Sequence, residues 1–224
     1  MPRVYDNVTT SLLAGLSNVL AEADRADFCI GYFHLRGWER LADLVDHFEG
    51  TDSSCCRILV GMHRPPQDQM RELQSALRRD TYIDGPTAAR LLRKVVESFK
   101  EQIEFGVPTT AAEVTLRQLA RQIRSGKVRV KLFLRYPLHA KLYLVHRVDP
   151  VTPLIAFVGS SNLTLAGLSE QGELNVDVVE QDAARKLQQW FDDHWNDRFA
   201  FDISEELAKL IEGSWAREEL VSPY

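Results

Sequence analysis

Apolar and polar positions repeat with two different periods along the chain, and these periods predict helices and strands. Over residues 6–24 the apolar side chains recur every three or four positions, which predicts an amphipathic helix. The run DFCIGYF (27–33) is short, apolar and aromatic and predicts a buried strand, and GWERLADLVDHF (37–48) predicts a second helix. RILVGMH (57–63) predicts another buried strand. Strand, helix and strand in this order indicate an α/β protein with parallel strands.

The second half of the chain is richer in strand signals. Residues 67–125 look mostly helical and are interpreted as an insertion between two strands of the sheet. DAARKLQQWFDDHWNDRF (182–199) predicts an amphipathic helix, and the tail from 204 to 224 predicts one more. The strands predicted between these helical regions are VRVKLFL (128–134), HAKLYLVH (139–146), LIAFVG (154–159) and ELNVDVV (173–179).

The composition is that of a globular protein with one domain. Of the 224 residues, 45% are apolar and 26% charged. No apolar run approaches the roughly twenty residues of a membrane-spanning helix, and the amino-terminal stretch has no cleavable signal pattern, so we expect a cytoplasmic protein without a membrane partner. Cys29, Cys55 and Cys56 match neither a disulfide framework nor a zinc-binding spacing, and we expect them to be buried and reduced.

Charge is distributed unevenly along the chain. The net charge is −5, which argues against a protein that coats nucleic acid over its whole surface. Residues 78–135 nevertheless carry thirteen Lys and Arg against six Asp and Glu, whereas residues 169–224 carry five against fourteen. Arg117, Arg121 and Arg124 fall on one face of a predicted helix. Such a stripe is either a solvated helix face or a surface that follows a phosphate backbone, and both interpretations stay open.

The segment HAKLYLVH (139–146) holds the first candidate chemical groups. Side chains alternate between the two faces of a strand, so His139 and Lys141 point the same way. A histidine titrates near neutrality and can act as nucleophile or proton donor, and a neighbouring lysine offers positive charge to phosphate oxygens. Alone, the pair is more typical of an ordinary exposed strand face.

Two further segments add polar groups in a fixed order. LIAFVGSSNLT (154–164) is a buried strand that ends in a turn, where Gly159 and the small polar residues Ser160 and Asn162 can gather round an anion. In QGELNVDV (171–178), Glu173 opens another strand. A carboxylate there either hydrogen-bonds a neighbouring histidine and fixes its tautomer, or is an ordinary residue at a strand entry.

The order H-A-K-L-Y-L-V, F-V-G-S-S-N-L-T-x-x-G-L and Q-G-E-L-N-V resembles the active-site signature of the phospholipase D superfamily. The likeness is greatest to the branch with a single His-x-Lys motif, which includes nucleases, some restriction enzymes and domains that precede helicase modules. The resemblance covers most of residues 1–200 and is weakest over 67–125. It implies a phospholipase D-like domain over 1–200, a mixed β-sheet sandwiched by helices, with residues 201–224 as an extension that leads towards a further domain.

The resemblance also implies roles for individual residues. His139 would be the nucleophile that forms a phosphohistidine intermediate, and Lys141 would bind the phosphate. Ser160 and Asn162 would hold phosphate oxygens, and Glu173 would orient the histidine. No metal or other cofactor is implied.

One position departs from the family pattern. Many members carry an aspartate where this chain has His146, so the H-x-K-x4-D pattern is broken. The alternation of side chains places His146 on the face opposite His139, which indicates a structural role.

The chain carries one His-x-Lys motif, and this bears on how many chains form the active site. This mechanism needs one histidine to attack phosphorus and another to protonate the leaving oxygen. The sequence contains no second His-x-Lys, so we expect a homodimer that combines two copies of His139 and Lys141, as in single-motif family members.

We therefore expect a metal-independent phosphodiesterase that acts on DNA, with RNA as the alternative, and that is fused to or works with a helicase. A second hypothesis is a non-catalytic nucleic-acid-binding module that retains the phosphate pocket, and His146 is its main support. A third hypothesis is phospholipase-type chemistry, which the sequence supports less because it shows no amphipathic membrane-binding stretch.

Overall fold

The computed structural model describes residues 2–61, 86, 90, 93, 97–101 and 109–216 of the chain. Two 3₁₀ segments, Leu35–Arg40 and Asp43–Val45, and a π-helical turn, Ala166–Glu170, connect the longer elements. In chain order these are β1 Val4–Tyr5, α1 Leu12–Leu20, β2 Ala23–Ile30, β3 Cys56–Val60, α2 Thr110–Arg124, β4 Val128–Phe133, β5 Leu142–Arg147, β6 Leu154–Gly159, β7 Asn175–Val178, α3 Gln181–Trp195, β8 Ala200–Asp202 and α4 Ser204–Glu212.

The strands form one mixed sheet. Its eight strands lie in the order β1-β7-β6-β5-β2-β3-β4-β8. Strands β2, β3 and β4 are parallel to one another, and every other neighbouring pair is antiparallel. The predicted α/β class and the mixed sheet flanked by helices are confirmed.

Each face of the sheet has its own hydrophobic core. Strand β5 shows the division, since Tyr143 and Val145 belong to one cluster and Leu142 and Leu144 to the other. The first cluster is covered by α1, the 3₁₀ segments, α2 and α4, whereas helix α3 covers the second. All three cysteines are buried and free, as expected from the sequence.

The first predicted helix is shorter than its pattern indicates. It was expected over 6–24, but α1 spans Leu12–Leu20 and residues from Ala23 onward belong to β2. Asp6 prevents the helix from starting earlier. Its Oδ1 accepts hydrogen bonds from the backbone N–H groups of Val8, Thr9 and Thr10, and this holds the segment in a turn. The helix begins instead after Ser11, whose side chain accepts from the N–H of Ala14.

The predicted helix over 37–48 was also wrong in type. The segment forms two 3₁₀ stretches, held by a deeply buried Trp38 whose Nε1 donates to Gln122 Oε1 at 2.9 Å.

His139 and Lys141 were expected within a strand, but β5 begins at Leu142, so both precede it. The other predicted strands and the helix over 182–199 are confirmed with small changes of bounds.

The predicted insertion over 67–125 lies largely outside the described residues, although its last part is the helix α2. The predicted helix in 204–224 is confirmed as α4, and residues 217–224 lie outside the described part. Residues from Ala200 to Ala216 pack into the same domain. Strand β8 pairs with β4, and Leu207, Ile211 and Ala216 are part of the first core.

Candidate active site

The candidate site lies at one end of the strands, where β2 and β6 end and β5 begins. Gly31 follows β2, Asn162 follows β6, and His139 and Lys141 precede β5, which is antiparallel to both strands. The chain enters β5 through Leu138, whose backbone N–H donates to Gly61 O just after β3, at 3.1 Å. The topology therefore brings together residues that are more than a hundred positions apart.

Three of the predicted site residues converge on Gly31. A β-carbon placed on this glycine would lie 3.0 Å from His139 Cδ2, 3.2 Å from Asn162 Oδ1 and 3.4 Å from Lys141 Nζ. The imidazole, the amide and the ammonium group thus surround one small volume, and glycine leaves it free of a side chain. An anion beside this volume meets the Lys141 ammonium as a donor and His139 as a potential nucleophile, whereas the Asn162 atom nearest to Gly31 is the acceptor oxygen Oδ1.

Lys141 and His139 differ in exposure, and both pKa values are lowered. Lys141 is only 6% exposed, and its Nζ donates to the His139 carbonyl at 3.0 Å. Burial lowers the pKa of Lys141 to about 8, although the nearby Glu173 carboxylate opposes the shift. His139 is exposed, and partial burial and the charge of Lys141 lower its pKa below the ordinary value. Near neutral pH, His139 is therefore mostly uncharged and Lys141 is mostly protonated.

Asn162 is held by the backbone of the chain just after β2. Its Oδ1 accepts a hydrogen bond from the Tyr32 N–H at 2.9 Å. This bond fixes the orientation of the amide, so that the Nδ2 group is the one that can donate to an oxygen ligand.

The turn that carries Asn162 is fixed by two residues that sequence reasoning did not select. Tyr143 is buried and donates its hydroxyl to Ser161 O at 2.9 Å. Asn175 is also buried, and its amide accepts from Ser161 N at 3.3 Å and donates to Ser161 Oγ at 2.8 Å. A β-carbon on Gly159 would lie 2.2 Å from Leu174 O, so only glycine fits at the start of this turn. Tyr143 shares the His139 face of its strand pattern, and this is the one sequence signal for it.

Glu173 lies beside the site but is bonded to Ser160. The Ser160 hydroxyl donates to the Glu173 carboxylate and accepts from Leu174 N at 3.0 Å. The predicted hydrogen bond from His139 to Glu173 is not among the contacts of the described residues. Within one chain, Glu173 therefore acts on the site through Ser160 and through its charge near Lys141.

His146 belongs to a buried charge network on the α3 face of the sheet. Its Nε2 lies 2.7 Å from Asp27 Oδ2 and 3.0 Å from Arg25 Nη2. Asp27 is fully buried and also accepts from Arg57, which reaches on to Asp192 of α3 at 2.7 Å. Burial opposes ionisation of Asp27, but its bonds to Arg57 and His146 outweigh this and hold its pKa at about 2. The structural role predicted for His146 fits this arrangement.

The arginines of the predicted basic stripe lie on α2, and two of them are paired with acidic residues. Arg117 contacts Glu113 and donates to Ala216 O at 3.1 Å. Arg124 binds both Glu205 and Glu212 of α4. These pairs reduce the positive charge that the stripe offers, and a role of Arg117, Arg121 and Arg124 in nucleic-acid binding stays a prediction.

The described part of the chain holds neither a membrane-spanning helix nor a metal-binding cluster. None of the helices described is long and apolar enough to cross a membrane. Likewise, the described histidines, cysteines and carboxylates form no group of three that could hold a metal ion.

Comparisons with known proteins show which family the chain belongs to. The sequence profile described as "Cardiolipin synthase, PLD-like domain" matches residues 21–195. None of the curated proteins compared with the chain matches it. Among solved structures, a phosphatidylserine synthase from Haemophilus influenzae Rd KW20 is similar, with 13% identity and a TM-score of 0.51 over 95% of this chain and 44% of that one.

Two other structures match over nearly their full length. The phospholipase D family member Nuc from Salmonella typhimurium has 15% identity and a TM-score of 0.49, over 90% of this chain and 97% of its own. NucT from Helicobacter pylori has 10% identity and a TM-score of 0.49, over 90% of this chain and 99% of its own. The profile match spans most of the chain and includes His139, Lys141, Ser160, Asn162 and Glu173, and the chain belongs to the phospholipase D-like family.

Proposed function

We propose that this protein is a metal-independent phosphodiesterase whose nucleophile is His139. The observation that carries the proposal is the convergence of His139, Lys141 and Asn162 within 3.4 Å of the β-carbon position of Gly31. A phosphodiester bound beside Gly31 has an oxygen near the Lys141 ammonium, and the Nδ2 group of Asn162 is the second donor that we propose for its oxygens. These donors stabilise the negative charge that develops when the imidazole attacks phosphorus.

The reaction proceeds in two steps. An imidazole nitrogen of His139 forms a bond to phosphorus while the bond from phosphorus to the leaving oxygen breaks, and that oxygen takes a proton from a second histidine. Water then attacks the phosphohistidine, returns a proton to the second histidine and releases His139. The lowered pKa of His139 favours the uncharged nucleophile at neutral pH. Lys141, with a pKa of about 8, still carries its charge there.

The second histidine comes from a second copy of the chain. Each chain contributes one His139, which is exposed at the edge of the sheet and so accessible to another molecule. A two-fold axis beside this edge places two imidazoles on opposite sides of one phosphorus. In such a homodimer Glu173 of one chain is a candidate to orient His139 of the other, since within one chain its carboxylate is bonded to Ser160.

DNA is the proposed substrate, with RNA as the alternative, and a helicase is the proposed fused or associated partner. The support is the single-motif signature and the excess of Lys and Arg over residues 78–135, much of which lies outside the described residues. Non-specific contact with a phosphate backbone would make binding strongly salt-dependent.

The test is to trap the intermediate. Protein incubated with a ³²P-labelled oligonucleotide and quenched in alkali should retain label that acid releases, and His139→Ala should retain none. His146→Asn is the matched control, because it alters the other histidine of the motif segment but keeps a hydrogen-bond donor to Asp27. Persistent cleavage by His139→Ala, or loss of wild-type cleavage on addition of a chelator, contradicts the proposal.

A second substrate class deserves the same test, because the matching family profile is named after a phospholipid-synthesising enzyme. Vesicles that contain phosphatidylglycerol replace the oligonucleotide, and labelled phosphatidyl groups replace ³²P. Turnover of lipid but not of DNA or RNA assigns the same His139 chemistry to phosphatidyl transfer. Salt-dependent DNA binding without turnover of either substrate, unchanged in His139→Ala, identifies a binding module.

A further inference from the structure

An aromatic cluster lies outside the candidate active site but at the same end of the sheet. Strands β2, β3 and β4 are parallel, so they end on the same side, and the chain that leaves β4 at Phe133 passes this end on its way to His139. Tyr136 lies on that connection, and Trp190 and His194 lie near the carboxyl end of α3. We call Tyr136, Trp190 and His194 the aromatic cluster.

Hydrogen bonds hold the rings of the aromatic cluster in place. His194 Nδ1 lies 2.7 Å from the Trp190 carbonyl oxygen, which can only accept, so Nδ1 carries the hydrogen. In the uncharged ring, Nε2 then accepts from the Tyr136 hydroxyl at 2.8 Å. The indole of Trp190 lies against the same imidazole, with 4.1 Å between the ring centroids. A side chain that is already held in this way loses little conformational entropy when a ligand binds to it.

Tyr136 is held in place and is still 45% exposed. The Phe133 ring meets it at 75°, with the centroids 4.9 Å apart, and the His194 ring meets it at 88°. Of these two ring contacts, neither is parallel to the phenol ring, so neither neighbour takes the position of a stacked partner. A flat ring that belongs to a ligand can stack there.

Tyr136 is close enough to His139 for one ligand to contact both. Three residues of fully extended chain span at most about 11 Å. Leu138, between the two, is buried, and its backbone N–H donates to Gly61 O at 3.1 Å. This anchor fixes the position of Tyr136 relative to the nucleophile.

The charges beside Tyr136 favour an uncharged ligand. Arg135 is paired with Asp197 at 3.0 Å, and Asp193, next to His194, is an exposed carboxylate. Such a surface does not attract a phosphate or the anionic headgroups of a lipid membrane. A nucleobase is uncharged, and every base has a flat face that can stack on an aromatic side chain.

We propose that Tyr136, held by His194 and Trp190, is a stacking subsite for an unpaired base of the nucleotide next to the phosphodiester bound at Gly31. The proposal rests on the proposed function with a nucleic acid as the substrate. The base binds at Tyr136 while the phosphate lies beside Lys141, so the two contacts together set the position of the backbone at His139.

The experiment compares two ligands that differ only in their bases. One is a fluorescein-labelled oligothymidylate, and the other is a backbone of equal length and charge made of abasic residues. Fluorescence anisotropy measures the dissociation constant of each, with His139→Ala in every protein so that no ligand is cleaved. The ratio of the abasic to the thymidylate dissociation constant is the base preference.

The variants separate stacking from apolar contact. Tyr136→Leu keeps apolar volume but removes the ring, and Tyr136→Phe keeps the ring. His194→Leu keeps Tyr136 but removes the acceptor of its hydroxyl, and it is the second variant should Tyr136→Leu fold poorly. Val148→Ala is the control, since Val148 is 85% exposed in the loop between β5 and β6, at the other end of the strands. Circular dichroism and thermal melting verify folding.

The expected values follow from the strength of base stacking. We expect a base preference of about 5- to 150-fold with Tyr136 present, and the same preference in Tyr136→Phe and Val148→Ala. Tyr136→Leu should lower it nearly to one, whereas its affinity for the abasic backbone should not change. His194→Leu should lower the preference by about 2- to 10-fold, because the phenol ring is then free to move.

The outcomes distinguish the subsite from the proposed function, since cleavage is measured separately in proteins that retain His139. An undiminished base preference in Tyr136→Leu, with cleavage of DNA by the wild type, overturns the subsite and leaves the function intact. Loss of the preference in Tyr136→Leu, with a wild type inactive on every phosphodiester, supports the subsite and refutes the function. Equal binding of both ligands, or binding to phosphatidylglycerol vesicles and to neither oligonucleotide, overturns the subsite.

Discussion

Restoring the family's usual residue at position 146 should destabilise this protein. In many relatives an aspartate stands at that position, but here the position faces Asp27, which is fully buried. His146→Asp removes a hydrogen bond of 2.7 Å to Asp27 and places a second carboxylate beside the first. Arg25 Nη2, 3.0 Å from the present His146 Nε2, can offset part of the repulsion.

The expected loss follows from the network as it stands. Burial, which opposes ionisation, and the bonds to Arg57 and His146, which favour it, together lower the pKa of Asp27 from 3.8 to about 2, and at about 1.36 kcal/mol per pKa unit the ionised carboxylate makes a net contribution of about 2 kcal/mol to the stability of the folded protein. This contribution is present above the unfolded pKa and is lost as the pH falls through about 2. The variant loses a charge-assisted hydrogen bond of about 1.5–3 kcal/mol and gains like-charge repulsion. We expect its free energy of unfolding near neutral pH to fall by about 3–5 kcal/mol.

The pH dependence distinguishes this explanation from a packing defect. In the variant the repulsion raises the folded-state pKa of the carboxylate pair, so the penalty diminishes as the pH falls and one group takes a proton. Urea unfolding near pH 7 and near pH 5 measures the difference. His146→Asn, which retains a donor but adds no charge, should lose only about 1 kcal/mol. A His146→Asp protein as stable as His146→Asn near pH 7 would refute the reasoning.

Three further predictions concern the site. The pH profile of kcat/KM should be bell-shaped, because one His139 must be uncharged to attack while the other must be protonated to act as the acid, and its maximum should lie below the ordinary histidine pKa; loss of the Lys141 proton near about 8 should lower the activity further, and a flat profile between pH 5 and 9 contradicts these roles. Gly31→Ala should lower kcat/KM by about 10- to 100-fold at unchanged thermal stability, whereas Gly172→Ala, with open space around its β-carbon, should not. Asn175→Ala should reduce stability by about 2 kcal/mol and also reduce activity, because Ser161 loses both of its hydrogen bonds to the Asn175 amide and keeps only the one from Tyr143; unchanged urea unfolding contradicts this.

The sequence predicted the site better than it predicted the elements that support it. His139, Lys141 and Asn162 were recognisable because the motif segments occur in a fixed order, and the structure brings the three together at Gly31. Gly31 itself could not be selected, since it stands in an ordinary strand-to-loop sequence and approaches Lys141 only through the pairing of β2 with β5. Non-local pairing of this kind is not encoded in local periodicity.

Asp27 was missed for a related reason. A carboxylate at the start of an apolar strand looks like a solvated residue, and its partner His146 lies 119 positions away in sequence. The two 3₁₀ segments were read as one helix because Trp38, Leu41 and Val45 repeat at helical spacing, although it is burial of Trp38 against Gln122 that determines the backbone there. Tertiary contacts override local preference at such positions.

The break in the H-x-K-x4-D pattern lies too far from the reacting groups to decide the chemistry directly. His146 is five residues beyond Lys141 along an extended segment, or about 17 Å at about 3.3 Å per residue, and it faces α3. Asp27, on the neighbouring strand β2, supplies a buried carboxylate next to this position. Because β2 ends at the floor of the site and β5 begins at Lys141, the pair of Asp27 and His146 joins the two strands that position Gly31 and Lys141. The departure therefore lies in a hydrogen-bonded pair within the sheet, and loss of this pair should first reduce stability and only through unfolding reduce activity.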